Sequence, residues 1–189
     1  MTLQKFKTRV DLLASIPIGS SIAEVGVWRG YLSNEILSLP NFKRVVLVDS
    51  WRRRDDYSDP LADAETNHEA NYKETLKNIS GHKHGGRYQI LRLDSLVAAN
   101  SMEDDALNCV YLDGNHSYDA CLADLIAWSR VVGPHGYLCG HDHTENEQAK
   151  KWGFGVVPAV RDFCKKYGWQ ITGLDEEEFQ SFRLQKIHG

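Results

Sequence analysis

No apolar run in this sequence approaches the ~20 residues that a membrane span requires, and no signal-type h-region with a cleavage site follows its first residues. It has no CxxC pair. Its four cysteines, Cys109, Cys121, Cys139 and Cys164, are widely spaced and sit mostly in apolar stretches. That spacing argues against a structural zinc site and fits buried free thiols in a reducing cytosol, so a cytoplasmic location is expected. Basic excess is missing too: 22 Lys and Arg stand against 26 Asp and Glu, a net charge of −4 with His neutral. A chain of that balance carries no electrostatic footprint for nucleic acid. The expected partners therefore include neither nucleic acid nor a membrane. One local cluster, Arg52-Arg53-Arg54, is followed at once by Asp55-Asp56 and reads as a solvated loop, with a grip on an anionic substrate as the alternative. Repeats and low-complexity segments are absent. The 189 residues are expected to form one domain, residues 1–189.

What is present is an alternation of strand-length apolar runs with stretches of helical period. The strand candidates are 21–25, 44–49, 88–93, 108–113 and 136–140. Two of them, around Val45–Val48 and Val110–Leu112, are nearly continuous apolar runs, as expected of a parallel sheet covered on both faces. Helical patterns occupy 31–39, 68–79, 118–131 and 157–167. In the third, Cys121, Leu122, Leu125, Ile126 and Trp128 make an apolar stripe. Such alternation means βαβ units with right-handed crossovers. At the C-terminus, 169–174 and 181–187 are joined only by an acidic stretch and should pair as an antiparallel hairpin on the sheet edge. At the N-terminus, Leu3, Phe6, Val10 and Leu13 share one helical face, so a helix is expected within residues 1–18. The polar stretch Trp51–Asn67 is long for a βα connection and leaves the sheet edge where α/β proteins bind ligands, which suggests a substrate lid, with a plain surface insertion as the alternative.

The first strand runs into EVGVWRG, residues 24–30. Gly26 permits a tight turn after a buried strand, and Gly30 permits close backbone approach where a helix starts. The glycine spacing is not that of the dinucleotide fingerprint GxGxxG. Glu24 places a carboxyl in the strand end, where it needs a donor: a ligand ammonium or backbone N–H groups.

The sequence resembles the class I S-adenosylmethionine-dependent methyltransferases over nearly its whole length. AEVGVWRGYLSNEIL is similar to their first motif, VVLVDSW to the second and LRLDSL to the third. The resemblance implies a Rossmann-like three-layer α/β/α sandwich with a seven-stranded, mostly parallel sheet in the order 3-2-1-4-5-7-6 and a C-terminal antiparallel hairpin. It implies S-adenosylmethionine as cofactor, contacted by Glu24, Gly26, Val27, Trp28 and Gly30, by Asp49, Ser50 and Trp51 at the second strand end, by Asp94 and Ser95 near the adenine, and by Asp113. Asp49 would hold the ribose hydroxyls; as a plain strand-end acid it would cap the next segment instead. A homo-oligomer is also in keeping with the group.

VYLDGNHSYDACLADLIAWSRVVGPHGYLCGHDH, residues 110–143, is similar to small O-methyltransferases of the macrolide-sugar, cephalosporin-pathway and catechol type. Asp113 and Asp142 end adjacent predicted strands and should face one crevice. His116, with an ordinary pKa near ~6.5, suits a general base, or else caps the following helix. Asp113, His141, Asp142 and His143 form a candidate site for Mg²⁺ or, given the histidines, for Mn²⁺, Fe²⁺ or Zn²⁺. Asp113 is a catalytic candidate beside His116; its alternative task is to contact the cofactor's methionine portion or a loop amide. The expected acceptor is a small hydroxylated molecule; a non-catalytic, cofactor-binding partner protein is the alternative function. His82 and His84 lie in a Gly-rich polar turn and read as solvated.

Overall fold

The computed structural model of the chain describes residues 3–52 and 67–187. Within them the strands are β1 (Gln4–Phe6), β2 (Ser20–Val25), β3 (Phe42–Val48), β4 (Tyr88–Leu91), β5 (Leu107–Leu112), β6 (Val132–Gly140), β7 (Trp169–Asp175) and β8 (Phe182–Lys186). The helices are α1 (Arg9–Ala14), α2 (Tyr31–Ser38), α3 (His68–Asn78), α4 (Ser95–Asn100), α5 (Tyr118–Val131), α6 (Glu147–Lys151) and α7 (Val156–Tyr167).

The strands form one sheet in the order β1-β7-β8-β6-β5-β2-β3-β4. From β7 to β4 this is the expected 3-2-1-4-5-7-6 order, read from its far edge. Neighbours pair parallel except β8, which runs antiparallel to both β6 and β7. The hairpin thus forms as the short acidic connection requires.

The eighth strand is a correction. The helix expected within residues 1–18 is confined to Arg9–Ala14, and Gln4–Phe6 pairs parallel with Gly173–Asp175 of β7. The free edge of β7 offers backbone donors and acceptors that a short segment can satisfy. Thr8 then starts the helix with a capping box: its side chain accepts from the Asp11 amide, and Asp11 accepts from the Thr8 amide. Phe6 is therefore placed by the sheet, and the Arg183 guanidinium lies over its ring.

Two apolar layers flank the sheet. On one face α4, α5 and α7 cover Ala23, Val25, Val46, Val48, Val110 and Leu112. The apolar stripe of α5 buries Leu125, Trp128 and Val131 completely, each contributing roughly 1.5–3 kcal/mol. On the other face α1 and α2 cover Ile22, Val45, Leu47, Cys109 and Tyr111. All four cysteines are free thiols.

The path of the chain places the site. From β2 it moves through β3 to β4, then returns to the opposite side of β2 as β5. The carboxyl ends of β2 and β5 consequently border a topological switch point, where open α/β sheets bind ligands. Of the expected lid, residues 53–66 lie outside the described residues. No helix among the described residues is long and apolar enough to cross a membrane.

Candidate active site

The loop after β2 is shaped by contact with β5. Gly26 has φ +91°, and a Cβ built on it would stand 2.0 Å from the Asp113 carbonyl oxygen. Only glycine fits there. Val27 is buried, whereas Trp28 takes a left-handed backbone at φ 52° and is 38% exposed. Gly30 precedes α2 with φ 74° and offers no side-chain cap, leaving the first amides of that helix without an intrahelical partner.

Asp49 holds this loop to the end of β3. Its Oδ2 accepts from the Trp28 amide at 2.8 Å and its Oδ1 from the Trp51 amide at 2.7 Å. Trp51 is also left-handed, and its indole N–H donates to the Trp28 carbonyl. Asp49 thus does act on loop amides, and each carboxylate oxygen keeps a further lone pair for a ligand. Burial raises its pKa, against the pull of these two hydrogen bonds. Ser50 is half-buried beside it.

Within the chain, Glu24 takes a side-chain donor that the sequence did not single out. It is 1% exposed and accepts from the Ser33 hydroxyl of α2 at 2.5 Å. Burial pushes its carboxyl up to about 8, with Asp113 and Asp49 adding to the rise and Ser33 and Arg9 opposing it. Ser95, at the start of α4, donates to Asp124 at 2.6 Å and accepts from the Trp128 indole at 2.8 Å, tying α4 to α5. Asp94 precedes it as the exposed helix N-cap, without a side-chain cap bond.

Beyond β5 and β6 lie the acid and imidazole groups. The Asp113 amide donates to the Val25 carbonyl at 2.8 Å, and the His141 amide donates to the Leu112 carbonyl at 3.0 Å. Both ends are thereby clamped to their neighbours. Asp142 is buried, with φ 58°. His116 Nε2 lies 2.8 Å from Asp142 Oδ2 and 3.4 Å from Asp113 Oδ1. His141 Nδ1 lies 3.3 Å from Asp142 Oδ1 and 3.7 Å from Asp113 Oδ1. Burial alone would raise the Asp142 pKa, but hydrogen bonds from His116 and His141 hold it well below the usual carboxylate range. His141 is raised: Asp113 and Asp142 outweigh its own desolvation.

Of the four candidate metal ligands the structure gathers three. Ligand atoms of Asp113, His141 and Asp142 all lie within 4.8 Å of one another. Two ligands at about 2.1 Å from one cation stand about 3.0–3.4 Å apart, close to the His141–Asp142 and His141–Asp113 separations. His143 is outside this group. Its amide donates to the Gln180 carbonyl and its ring packs on Phe182, 5.7 Å between centroids. Burial lowers its pKa.

Sequence reasoning assigned no role to Arg9. Burial works against its charge, yet Tyr111, Asp113, Glu177 and Glu35 hold its pKa above the ordinary value. Its charge acts in turn on Glu24, whose carboxyl it favours ionised, and on His141, whose protonation it opposes. Nothing local in the N-terminal sequence signals this. Of the two turn histidines, His82 is hydrogen-bonded to Asn34.

Residues 23–143, more than half the chain, match the model of a methyltransferase domain family. The chain belongs to that family, and so to the S-adenosylmethionine-dependent methyltransferases. No curated protein matches the sequence. Among solved structures, a candidate rRNA methylase from Clostridium thermocellum superposes with a TM-score of 0.64 at 10% identity, covering 95% of each chain. An O-methyltransferase family protein from Burkholderia thailandensis gives 0.63 at 16% identity, over 96% of this chain and 56% of that one. A candidate caffeoyl-CoA O-methyltransferase from Staphylococcus aureus gives 0.62 at 11% identity, over 88% and 76%. At such identities the likeness is one of fold. That fold is shared with RNA methylases as well as O-methyltransferases, which qualifies the expectation, drawn from charge, that nucleic acid is no partner.

The described residues fit the methyl donor. The crevice has the glycine turn a close-lying ligand needs, uncapped amides at the start of α2, and carboxylates at the ends of three strands, Asp49, Asp113 and Asp142.

Proposed function

We propose that the enzyme methylates a hydroxyl oxygen of a small molecule, with His116 as general base. The observation that carries this reading is the 2.8 Å contact between His116 Nε2 and Asp142 Oδ2 at the ends of adjacent strands. S-adenosylmethionine, when bound, supplies an electrophilic methyl group on a sulfonium. The chain must then deprotonate the acceptor, orient it and keep water out. With Nε2–H directed to Asp142, Nδ1 is the accepting nitrogen of neutral His116. The acceptor O–H gives its proton there as oxygen takes the methyl group. Asp142, held ionised, stabilises the imidazolium that forms.

Asp113, His141 and Asp142 are the residues that would hold a divalent cation, whose chemistry would be to lower the acceptor hydroxyl's pKa. Glu24, Gly26, Val27, Trp28, Gly30, Asp49, Ser50, Trp51, Asp94, Ser95 and Asp113 are proposed to line the donor's seat. A small acceptor is favoured over RNA by the net charge of −4 and by the pairing of Arg29 with Glu74 and of Arg92 with Glu69, which leaves neither guanidinium unpaired for phosphate.

The test is methyl transfer from labelled S-adenosylmethionine to a panel of hydroxylated small molecules and to bulk tRNA and rRNA. Label on a hydroxyl, lost in His116→Gln, is the expected result. Label on RNA alone would replace this reading.

A further inference from the structure

Trp128, Phe163 and Phe182 are 0–1% exposed and belong to the core. Trp152, Phe154 and Phe179 are only half-buried, yet they touch one another. Trp152 and Phe179 stack at 5.8 Å with 19° between planes, Trp152 and Phe154 lie 5.5 Å apart, and Phe154 and Phe179 6.4 Å. The series continues to the base: the His116 ring is 4.6 Å from Phe154.

These rings come from two distant segments, the turn after α6 and the connection between β7 and β8. Backbone hydrogen bonds key both to the site. The Gly155 amide donates to the His116 carbonyl at 2.8 Å, and the His143 amide donates to the Gln180 carbonyl at 2.8 Å. Gly155 is pressed so closely to α5 that a Cβ would meet the Tyr118 nitrogen at 2.5 Å. The wall is therefore held in register with His116 by backbone.

We infer that Trp152, Phe154 and Phe179 form the acceptor-binding wall, and that the acceptor is a hydroxylated ring presenting a flat face to it. This rests on the O-methyl transfer reading above. A hydroxyl within hydrogen-bond reach of His116 places the acceptor's body beside Phe154, where the neighbouring surface is aromatic. Aromatic faces receive another aromatic ring by offset or edge contact, and they receive the C–H face of a pyranose by the same dispersion contacts. An open-chain polyol presents no such face. Binding pockets commonly combine an apolar wall with few polar groups that fix orientation; here the wall selects the ring and His116 with Asp142 selects the hydroxyl.

The experiment uses the full chain saturated with S-adenosylhomocysteine, whose binding by calorimetry also reports a folded donor site in every variant. Saturation-transfer NMR then measures catechol, methyl β-glucopyranoside and glycerol. The expected result is binding of at least one ring probe and not of glycerol, weakened about tenfold in Trp152→Ala and in Phe179→Ala but within about twofold in Trp152→Phe. Catechol alone would assign an aromatic acceptor, and the glucoside alone a sugar. Equal binding of glycerol, ring binding unchanged in Trp152→Ala, or no ring binding to protein that holds S-adenosylhomocysteine would overturn the proposal. Wall-dependent binding without label on any hydroxyl would uphold the wall and remove the O-methylation reading. Methylation unaffected by Trp152→Ala would do the reverse.

Discussion

The imidazole of His116 and the carboxylate of Asp142 meet at 2.8 Å, one from the loop after β5 and the other from the end of β6. Asp142 stands in the left-handed region at φ 58°, a conformation costly for a non-glycine residue. The clamped ends of β5 and β6 hold it there.

If this pair is the base and its orienting anion, Asp142→Asn loses both the tautomer preference and the charge opposite the imidazolium. The expected outcome is a fall in kcat on the order of a hundredfold or more, with S-adenosylhomocysteine affinity unchanged by calorimetry. His116→Gln should lower turnover at least as far, again with S-adenosylhomocysteine binding unchanged. Turnover retained in that variant would assign the proton to another group.

For the cation, three ligands are expected and not four. Titration with Mn²⁺ after chelation should show one site in the wild type, lost in Asp113→Ala and in Asp142→Ala. His143→Ala should retain it within about threefold, since His143 packs on Phe182 away from the group and supplies no ligand. Wild-type protein without a metal signal would leave His116 and Asp142 as the whole proton-handling apparatus.

Glu24 gives a prediction about pH. Its folded pKa is about 8, above the ~4.3 of an unfolded chain. Between those values the unfolded chain is ionised and the folded chain holds the proton. Stability from this group is therefore fully present below pH ~4.3 and falls as pH rises toward 8, by at most ~1.4 kcal/mol per pH unit. Glu24→Gln should flatten that slope while leaving stability near pH 5 almost unchanged, as read by urea unfolding from pH 5 to 8. An unaltered slope would show that Glu24 is ionised in the fold.

Gly26→Ala should be severe. The added methyl would strike the Asp113 carbonyl and would also disfavour the φ of +91°. A loss on the order of 3 kcal/mol is expected, seen as a lower urea midpoint at constant slope. Gly153→Ala makes the control: φ is +73° there too, but nothing lies within 4 Å of its added Cβ, so strain alone should cost about 1 kcal/mol.

Much of the sheet was legible because period and length were unambiguous. The α5 stripe around Leu125 and Trp128 predicts a helix over 118–131, and the structure has it at Tyr118–Val131. β6 begins earlier than its apolar run, at Val132, because pairing with β5 recruits residues of no strand pattern. The N-terminal misreading has a definite cause. Leu3, Phe6, Val10 and Leu13 do share a helical face, but the capping box at Thr8 and Asp11 was the stronger local signal. The decisive competitor, the open edge of β7, lies far along the chain.

The sequence by itself determined the alternation of strands and helices, the antiparallel hairpin, the glycine turn at Gly26 and the acids at the strand ends, because each follows from local periodicity or from one residue's conformational limits. It also determined, through its motifs, the methyltransferase family. Tertiary structure alone decided that Ser33 partners Glu24, that His143 stands outside the candidate cation site, and that the charge of Arg9 acts on Glu24 and His141. It alone brought Phe179 to Trp152 beside His116. Those relations depend on which distant segments the sheet order makes neighbours, and no local pattern encodes a distance across the fold.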